Sequence, residues 1–282
     1  MIKLSVFSDD LAMDWARAVQ VAQQLDLQGL EIRNVWGRSS KDLSDEEARS
    51  MAAVLKGTGL EVSCMGSAYG RQFWMDDPEA RKMSENVLAK MIRFCDIFGT
   101  DKIRIFALWI RDYDQKARWS ARPRYTLDLL TRIVKNLEPS IRMAEKAGVR
   151  LLIEPEGNSY SGTCRETRTI VEAIDSAAVR CVYHPRVTTD TGEPAYPDGY
   201  NQVRPYYVHV HMGRLDYYWA KSEPTIPHQQ VLRALVADKY DGWITIERHH
   251  AKDPDQNPEL REQTVQDLNA VRSMLHEEQA RA

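Results

Sequence analysis

Eight short runs rich in β-branched and apolar residues alternate with longer segments of helical periodicity along the 282-residue chain. The runs cover residues 2–7, 29–33, 60–65, 102–108, 149–154, 179–184, 206–211 and 243–247. Strands that are separated by helices pair in parallel through right-handed crossovers. Eight such units in a chain of this length predict a single α/β domain, a (β/α)8 TIM barrel that spans residues 1–282.

The segments between the runs carry helix signals. Helices are predicted over residues 11–25, 45–59, 78–99, 123–148, 165–175, 228–240 and 258–276, several with proline near the start and glycine near the end. Asp9 and Asp10 precede the first helix and are predicted to cap it. The first strand is followed by Ser-Asp-Asp and not by a glycine-rich phosphate turn, which argues against an open doubly wound sheet. Residues 190–200 are predicted to form a binding loop after the sixth strand.

Composition narrows the class of partner. The net charge of −3 gives no signal for nucleic acid, and no apolar run reaches the length of a membrane span. The N-terminal residues lack the pattern of a signal peptide. The four cysteines, Cys64, Cys95, Cys164 and Cys181, form no CxxC pair and are predicted to be reduced thiols. These features predict a cytoplasmic protein with a small-molecule partner, and neither a nucleic-acid nor a membrane partner.

Charged and imidazole side chains stand where the predicted strands end, which is where barrel enzymes place their functional groups. They are Glu31, Arg33, Arg111, Glu154, Glu156, His184, His209, His211, Glu247, His249 and His250, together with Trp109. Unpaired buried charge is costly, and a bound cation is the simplest compensation. Glu154, His184, His211 and Glu247 follow one another at intervals of 30, 27 and 36 residues, about one barrel unit each. Two carboxylates and two imidazoles suit a divalent transition metal.

Each of these residues also has a structural interpretation. A single strand-end glutamate such as Glu154 is often a salt-bridge partner. His209 and His211 alternate along one strand and face the same side, so one can be a ligand and the other a substrate contact or a satisfied core histidine.

Four further groups of residues also allow both a functional and a structural interpretation. Arg33 and Arg71 are candidates to hold substrate oxygens or to pair with carboxylates. The aromatic residues 217–219 are candidates to line a pocket or to pack structurally. His249 and His250 are candidate loop residues, and His228 and His276 are predicted to lie on helix surfaces.

Six segments in order resemble the xylose-isomerase-like barrel superfamily, whose members are broadly described as sugar phosphate isomerases and epimerases. They are GLEIRNVWG (29–37), GLEVSCMGSAYG (59–70), DKIRIFAL (101–108), AEKAGVRLLIEPE (144–156), YVHVHMGR (207–214) and DGWITIERHH (241–250), and they span nearly the whole chain. The resemblance implies metal ligands at Glu154, His211 and Glu247.

The chain departs from the family pattern at three places. The strand-six Asp-Pro of the family is His184-Pro185 here, and a valine, Val187, replaces the polar residue that follows. Gly213 and Arg214 stand where the family has Lys-Asp, and the family's Gly-Glu-Gly is replaced by residues 222–227, SEPTIP. A histidine in place of the aspartate removes one negative charge and adds a nitrogen donor. This change disfavours Mg²⁺ and favours Mn²⁺ foremost, with Fe²⁺, Co²⁺ or Zn²⁺ as alternatives.

The resemblance implies a divalent-metal-dependent isomerase or epimerase that acts on a keto-sugar or a related polyol-derived carbonyl compound through an enediolate. Glu154 and Glu247 would be the acid/base pair and His184 and His211 would complete the metal shell. Substrate contacts are assigned to Glu156, His209, Arg33 and Arg71.

Two alternatives remain open. One is a metal-dependent lyase, a dehydratase, eliminase or decarboxylase, that acts on an oxidised sugar derivative. The other is a metal-free barrel subunit with a binding role, which the changed residue at His184 favours. The DNA-repair endonuclease branch of the superfamily is disfavoured, because it uses more metal ligands than the sequence offers. A homo-oligomer is expected by analogy with relatives alone.

Overall fold

Eight parallel strands close into a barrel in the computed structural model, which describes residues 1–71, 73–111, 125–185, 192–215, 226–250 and 252–282. The strands are β1 Lys3–Phe7, β2 Gly29–Ile32, β3 Glu61–Gly66, β4 Lys102–Ile105, β5 Arg150–Ile153, β6 Val179–Tyr183, β7 Tyr207–Met212 and β8 Trp243–Ile246. Neighbours in sequence pair in parallel, and β8 pairs with β1 to complete the ring. The predicted (β/α)8 barrel is confirmed.

Long helices pack around the barrel. They are α1 Trp15–Gln24, α2 Asp45–Leu55, α3 Pro78–Phe98, α4 Leu127–Ala147, α5 Cys164–Ile174, α6 His228–Ala237 and α7 Pro258–Arg281. Short helical turns cover Ser8–Leu11, Ser40–Asp42, Ala195–Gly199 and Tyr200–Val203, and Asn34–Val35 pairs with Arg38–Ser39 in a small antiparallel hairpin. Each helix follows a strand and covers the outside of the sheet.

Local sequence signals fix the ends of several helices. Ser44 and Thr163 each begin a capping box in which the side chain accepts from the backbone N–H three residues on. Gly99 and Gly148 end α3 and α4 in the left-handed conformation, as their positions predict. These caps satisfy backbone groups that a helix end otherwise leaves without partners.

Three predicted segments differ from the structure. The first predicted helix is divided into the short turn Ser8–Leu11 and α1, and the residue that caps α1 is Asp14. Asp9 and Asp10 are instead buried, because their carboxylates face a buried arginine. The predicted loop 190–200 is helical from Ala195 onward, while residues 190 and 191 lie outside the described residues. The last helix also runs past residue 276 to Arg281.

The strands bury different kinds of side chain on their two faces. The outward face and the helices form one large apolar core, whereas Cys64, Leu152 and Val182 form a small separate cluster inside the barrel. Polar side chains fill the rest of the interior toward the carboxyl ends of the strands, and this arrangement positions the site. All four cysteines are buried free thiols. Among the described residues, no helix combines the length and apolar character needed to cross a bilayer.

Candidate metal centre

Four side chains meet at the carboxyl ends of β5, β6, β7 and β8. Glu154 directly follows β5, His184 follows β6, His211 lies near the end of β7, and Glu247 follows β8. Each can offer one ligand atom, and these atoms all lie within 4.8 Å of one another. All four side chains are buried. The four residues that the sequence spacing groups together are therefore neighbours in space.

Glu154 stands between the two imidazoles. Its Oε1 accepts from Nδ1 of His184 at 2.8 Å and from Nδ1 of His211 at 2.7 Å. Nε2 of His184 lies 3.4 Å from Oε2 of Glu247. That oxygen of Glu247 is buried and accepts no hydrogen bond within the part of the chain that the structure describes. A buried carboxylate oxygen without a donor is costly, and a cation would compensate it.

Opposing effects set the charges of the carboxylates. Burial would raise the pKa of Glu154, but Arg104, His211 and His184 outweigh it and hold the pKa well below its usual range. Burial would likewise raise the pKa of Glu247, but the neighbouring His184 and His249 lower it to about 2. Both carboxyl groups are thus ionised at neutral pH, the form in which a carboxylate binds a metal or accepts a proton.

A second polar group lies one layer deeper in the barrel. Oε2 of Glu31, on β2, accepts from Nε2 of His209 at 2.8 Å and from Nε2 of His211 at 3.1 Å. Thr245 Oγ1 lies 2.9 Å from the same His209 nitrogen and 2.6 Å from Ser5 Oγ. Glu31 is completely buried, and its cationic partner is His211, because Glu31 and Glu154 raise the pKa of that imidazole, whereas burial lowers the pKa of His209.

The predicted orientation of the two strand-seven histidines agrees with this arrangement. His209 and His211 both point into the barrel, with their rings 5.1 Å apart. His211 belongs to the four-residue group, whereas His209 lies deeper in the barrel against Glu31 and Thr245.

Arg33 lies against Glu247 on the side of the first strand. Its Nη1 is 2.9 Å from Glu247 Oε1, and its guanidinium also contacts Asp9 at 3.1 Å and Asp10 at 3.3 Å. Asp10 further accepts from the backbone N–H of Arg248 at 2.8 Å. This buried network ties the loop after β1 to the end of β8 and fixes the position of the Glu247 carboxylate.

Two more arginines lie on the side of β3 and β4. Arg104, on β4, is buried, and its Nε lies 3.2 Å from Glu154 Oε2. Arg71, in the loop after β3, is partly exposed, and its guanidinium lies 5.3 Å from the ring centre of Phe106. Burial and the nearby Arg104 lower the pKa of the Arg71 guanidinium, and the charge of Glu156 partly opposes this shift. Of the sequence-predicted substrate contacts, Arg33 thus lies beside Glu247, and Arg71 lies beside Phe106.

Other predicted residues fall outside this group. His228, predicted on a helix surface, is buried at the start of α6, so that prediction is wrong. His228 lies on the same side of α6 as Val231, Leu232 and Leu235, and this apolar side packs against the core. His249 reaches Glu247 with its Nε2 at 3.5 Å, and His250 binds Thr264. Tyr217, Tyr218 and Trp219 lie outside the described residues.

The sequence analysis missed three contributors to the site. Glu31 was noted only as a strand-end residue, Arg104 was not singled out, and Asp10 was interpreted as a helix cap. A signal existed for Arg104, since it is a charged residue inside an apolar run and has the same inward parity as its neighbours in the barrel.

With this geometry described, comparison with known proteins identifies the family. The model of the xylose isomerase-like TIM barrel family matches residues 19–274. This chain belongs to that family. The resemblance stated from the sequence is therefore confirmed. Among curated proteins, none matches the sequence significantly.

Solved structures share the fold at low sequence identity. L-ribulose 3-epimerase superposes with a TM-score of 0.78 at 14% identity, covering 100% of this chain and 97% of that chain. D-psicose 3-epimerase from Clostridium cellulolyticum H10 gives 0.73 at 17% identity, over 97% and 99% of the two chains. A probable 3-DHS dehydratase from Bacillus anthracis gives 0.67 at 15% identity, over 93% and 97%. At such identities the likeness shows the barrel alone.

Proposed function

We propose that this chain is a divalent-metal-dependent isomerase or epimerase that acts on a keto-sugar or a related polyol-derived carbonyl compound. The observation that carries the proposal is the meeting of Glu154, His184, His211 and Glu247 at the ends of four successive strands. The printed names of the two epimerases with the same fold support the substrate class. The proposal treats residues 1–282 as one domain.

The donor set fits a divalent metal ion. The two carboxylates and two imidazoles supply four ligand atoms within 4.8 Å of one another, and the buried Oε2 of Glu247 lacks a donor in the described ranges. Two nitrogen donors favour Mn²⁺, with Fe²⁺, Co²⁺ and Zn²⁺ as alternatives, over Mg²⁺. The chemistry that such an ion supplies is Lewis-acid stabilisation of the negative charge that develops on an enediolate.

Glu154 and Glu247 are the proposed acid/base pair. They follow β5 and β8, with β6 and β7 between them, so their carboxylates approach a small substrate from different sides. One carboxylate takes the proton from the carbon next to the carbonyl, and the other returns a proton to the opposite face. Arg33 and Arg104 each hold the second oxygen of one of these carboxylates and so fix its orientation.

Metal analysis of the purified protein tests the centre. Protein prepared in chelator-free buffer is expected to carry about one equivalent of a transition metal. The variant Glu247→Gln is expected to lose most of it. Glu61→Gln is the matched control, because Glu61 begins β3 at the opposite end of the barrel and its one ion pair among the described residues is with Lys3. Metal near zero in the wild type after soaking and desalting would favour the metal-free binding subunit.

Solvent-deuterium exchange tests the reaction. The metal-replete enzyme is expected to place deuterium on the carbon next to the carbonyl of at least one ketose in a panel, with product of unchanged mass apart from the label. A product that has lost water or carbon dioxide would instead identify a lyase. Absence of exchange with every ketose would count against isomerisation.

We propose a cytoplasmic location because of the state of the cysteines. All four are buried thiols with no disulfide between them, a pattern typical of proteins in a reducing compartment.

A further inference from the structure

Two guanidinium groups converge on one aromatic ring beside the candidate metal centre. The Cζ of Arg104 lies 4.5 Å from the ring centre of Phe106, and the Cζ of Arg71 lies 5.3 Å from the same centre. Arg104 belongs to β4, and Arg71 belongs to the loop that follows the adjacent strand β3. The two positive charges repel each other, since Arg104 lowers the pKa of Arg71, so the arrangement needs compensation.

The carboxylates of the protein balance only part of the positive charge of Arg71 and Arg104. Arg104 has one ion pair, with Glu154 at 3.2 Å, and its buried Nη1 has no hydrogen-bond partner within the described residues. Arg71 makes no ion pair within 4 Å in the same part of the chain, whereas Arg33 across the site contacts three carboxylates. A buried guanidinium donor without an acceptor is rare in folded proteins.

The backbone holds Arg71 in place. Gly70 has φ +88°, and a Cβ there would lie 2.1 Å from the carbonyl oxygen of Phe106. The backbone N–H of Phe106 in turn donates to the carbonyl of Tyr69 at 3.1 Å. The loop therefore packs backbone to backbone against the chain after β4. A glycine at this position permits that approach and sets Arg71 beside Phe106.

The electrostatic environment of Arg71 agrees with this geometry. Burial of its guanidinium lowers the pKa, the positive charges of Arg104 and Arg33 lower it further, and Glu156 and Glu154 oppose them. The net direction is downward, with burial as the largest cause, so Glu156 and Glu154 do not fully offset burial and the two neighbouring cations.

We propose that Arg71 and Arg104 form a binding subsite for an oxyanion, a carboxylate or a phosphate carried by the substrate of the reaction proposed above. Paired guanidinium groups bind both oxyanions through charge-assisted hydrogen bonds. Arg104 also contacts Glu154, so the acidic group is held next to the acid/base pair. The substrate is then an acidic sugar derivative and not a neutral ketose. This inference rests on the proposed function.

Three matched ligands test the subsite: D-fructose, D-fructuronate and D-fructose 6-phosphate. They share the 2-keto group and differ at C6, which carries a hydroxyl, a carboxylate or a phosphate. Calorimetric titration of the full-length, metal-loaded protein is expected to show at least about tenfold tighter binding of one charged form than of fructose. The tighter charged form identifies which oxyanion the subsite takes.

Substitution of Arg71 tests whether the preference for a charged ligand over a neutral one arises at this subsite. Arg71→Met is expected to reduce the ratio of charged to neutral affinity by about tenfold or more, and Arg71→Lys is expected to keep part of it. Arg142→Met is the matched control, because Arg142 is exposed on α4 and, within the described part of the chain, has Glu138 as its one ion-pair partner. This variant is expected to keep the ratio. Thermal midpoints of the variants verify that each is folded.

The outcomes separate the two proposals. Equal affinity for the three ligands, no binding of either charged form, or a preference unchanged in Arg71→Met would each overturn the subsite. Binding is read without turnover, so an Arg71-dependent preference supports the subsite even where deuterium exchange fails and the proposed reaction is wrong. Exchange on fructose with no effect of charge or of Arg71 would leave the reaction standing and remove the subsite.

Discussion

The carboxylate of Glu31 lies 3.1 Å from Nε2 of His211, on the side of the imidazole ring opposite Glu154. Nδ1 of the same ring lies 2.7 Å from Glu154, so both ring nitrogens donate and the ring is an imidazolium. Burial alone would lower the pKa of His211, but Glu31 and Glu154 raise it to about 10. In the absence of a metal this ligand is therefore protonated at neutral pH.

A protonated His211 predicts that metal binding releases a proton. Only the neutral imidazole can bind a metal, so the proton on Nδ1 must leave when the ion enters. Because the pKa of His211 is about 10, metal affinity is expected to rise with pH through the neutral range. Calorimetry in two buffers of different ionisation enthalpy measures the release, and about one proton per metal is expected. Affinity that is independent of pH and of buffer would contradict this prediction.

Glu31 is expected to act through His211 as a positioning residue. Once Nδ1 faces the metal, the Nε2–H still donates to Glu31, which holds the ring in one tautomer and one orientation. Glu31→Gln is expected to weaken metal binding by about 10- to 100-fold without removing any ligand atom. A chelator competition assay measures the change. Glu61→Gln serves again as the control, and equal weakening in both variants would show that the effect is not specific to Glu31.

The contact between Glu31 and His211 shows where sequence reasoning ends. The barrel and the meeting of the four candidate ligands follow from local pattern, because one carboxylate or imidazole stands at the end of each of four successive strands and functional groups gather at strand ends. The pairing of Glu31 with His209 and His211 depends on closure, since β2 and β7 are separated around the ring by β1 and β8 and meet only across the interior. Spacing along the chain does not encode contacts of this kind.

The ion pairs of Asp9 and Asp10 with Arg33 could not be predicted from the sequence for a similar reason. Asp9 and Asp10 have the residue type and the position of helix caps, and local propensity cannot distinguish a cap from the partner of a distant buried arginine. The partner, Arg33, lies on the loop after the neighbouring strand, and its side chain reaches Asp9, Asp10 and Glu247 together. Only the folded arrangement, in which the loops after β1 and β2 lie side by side, shows that the two aspartates pair with Arg33 and do not cap a helix.

Gly213 is expected to be required for the position of Glu247. A Cβ at Gly213 would lie 2.1 Å from the carbonyl oxygen of Glu247, so any side chain there pushes the ends of β7 and β8 apart. Gly213→Ala is expected to lower stability by about 1–3 kcal/mol and to reduce metal occupancy. Urea unfolding and metal analysis measure the two effects. Gly157→Ala is the control, since a Cβ there meets no atom of the described residues within 4 Å. A loss of metal as large as that of Gly213→Ala would refute the steric account.

His228 is expected to make the stability of the fold depend on pH. Burial lowers the pKa of this imidazole from 6.5 to about 4, so the folded state resists a proton that the unfolded state accepts. The stability that the buried neutral ring of His228 contributes is therefore complete above the unfolded pKa of 6.5 and is lost as pH falls from there toward 4. The loss amounts to ~3 kcal/mol at most.

Urea unfolding of wild type and His228→Gln at several pH values between about 4 and 7 measures this contribution. The difference in free energy of unfolding between the two proteins is expected to shrink as pH falls, because the wild type loses the advantage of a buried neutral ring. His276→Gln, a substitution on the exposed side of α7, is the matched control and is expected to follow the wild type. A difference between wild type and His228→Gln that stays constant over this range would mean that His228 titrates alike in the folded and unfolded states.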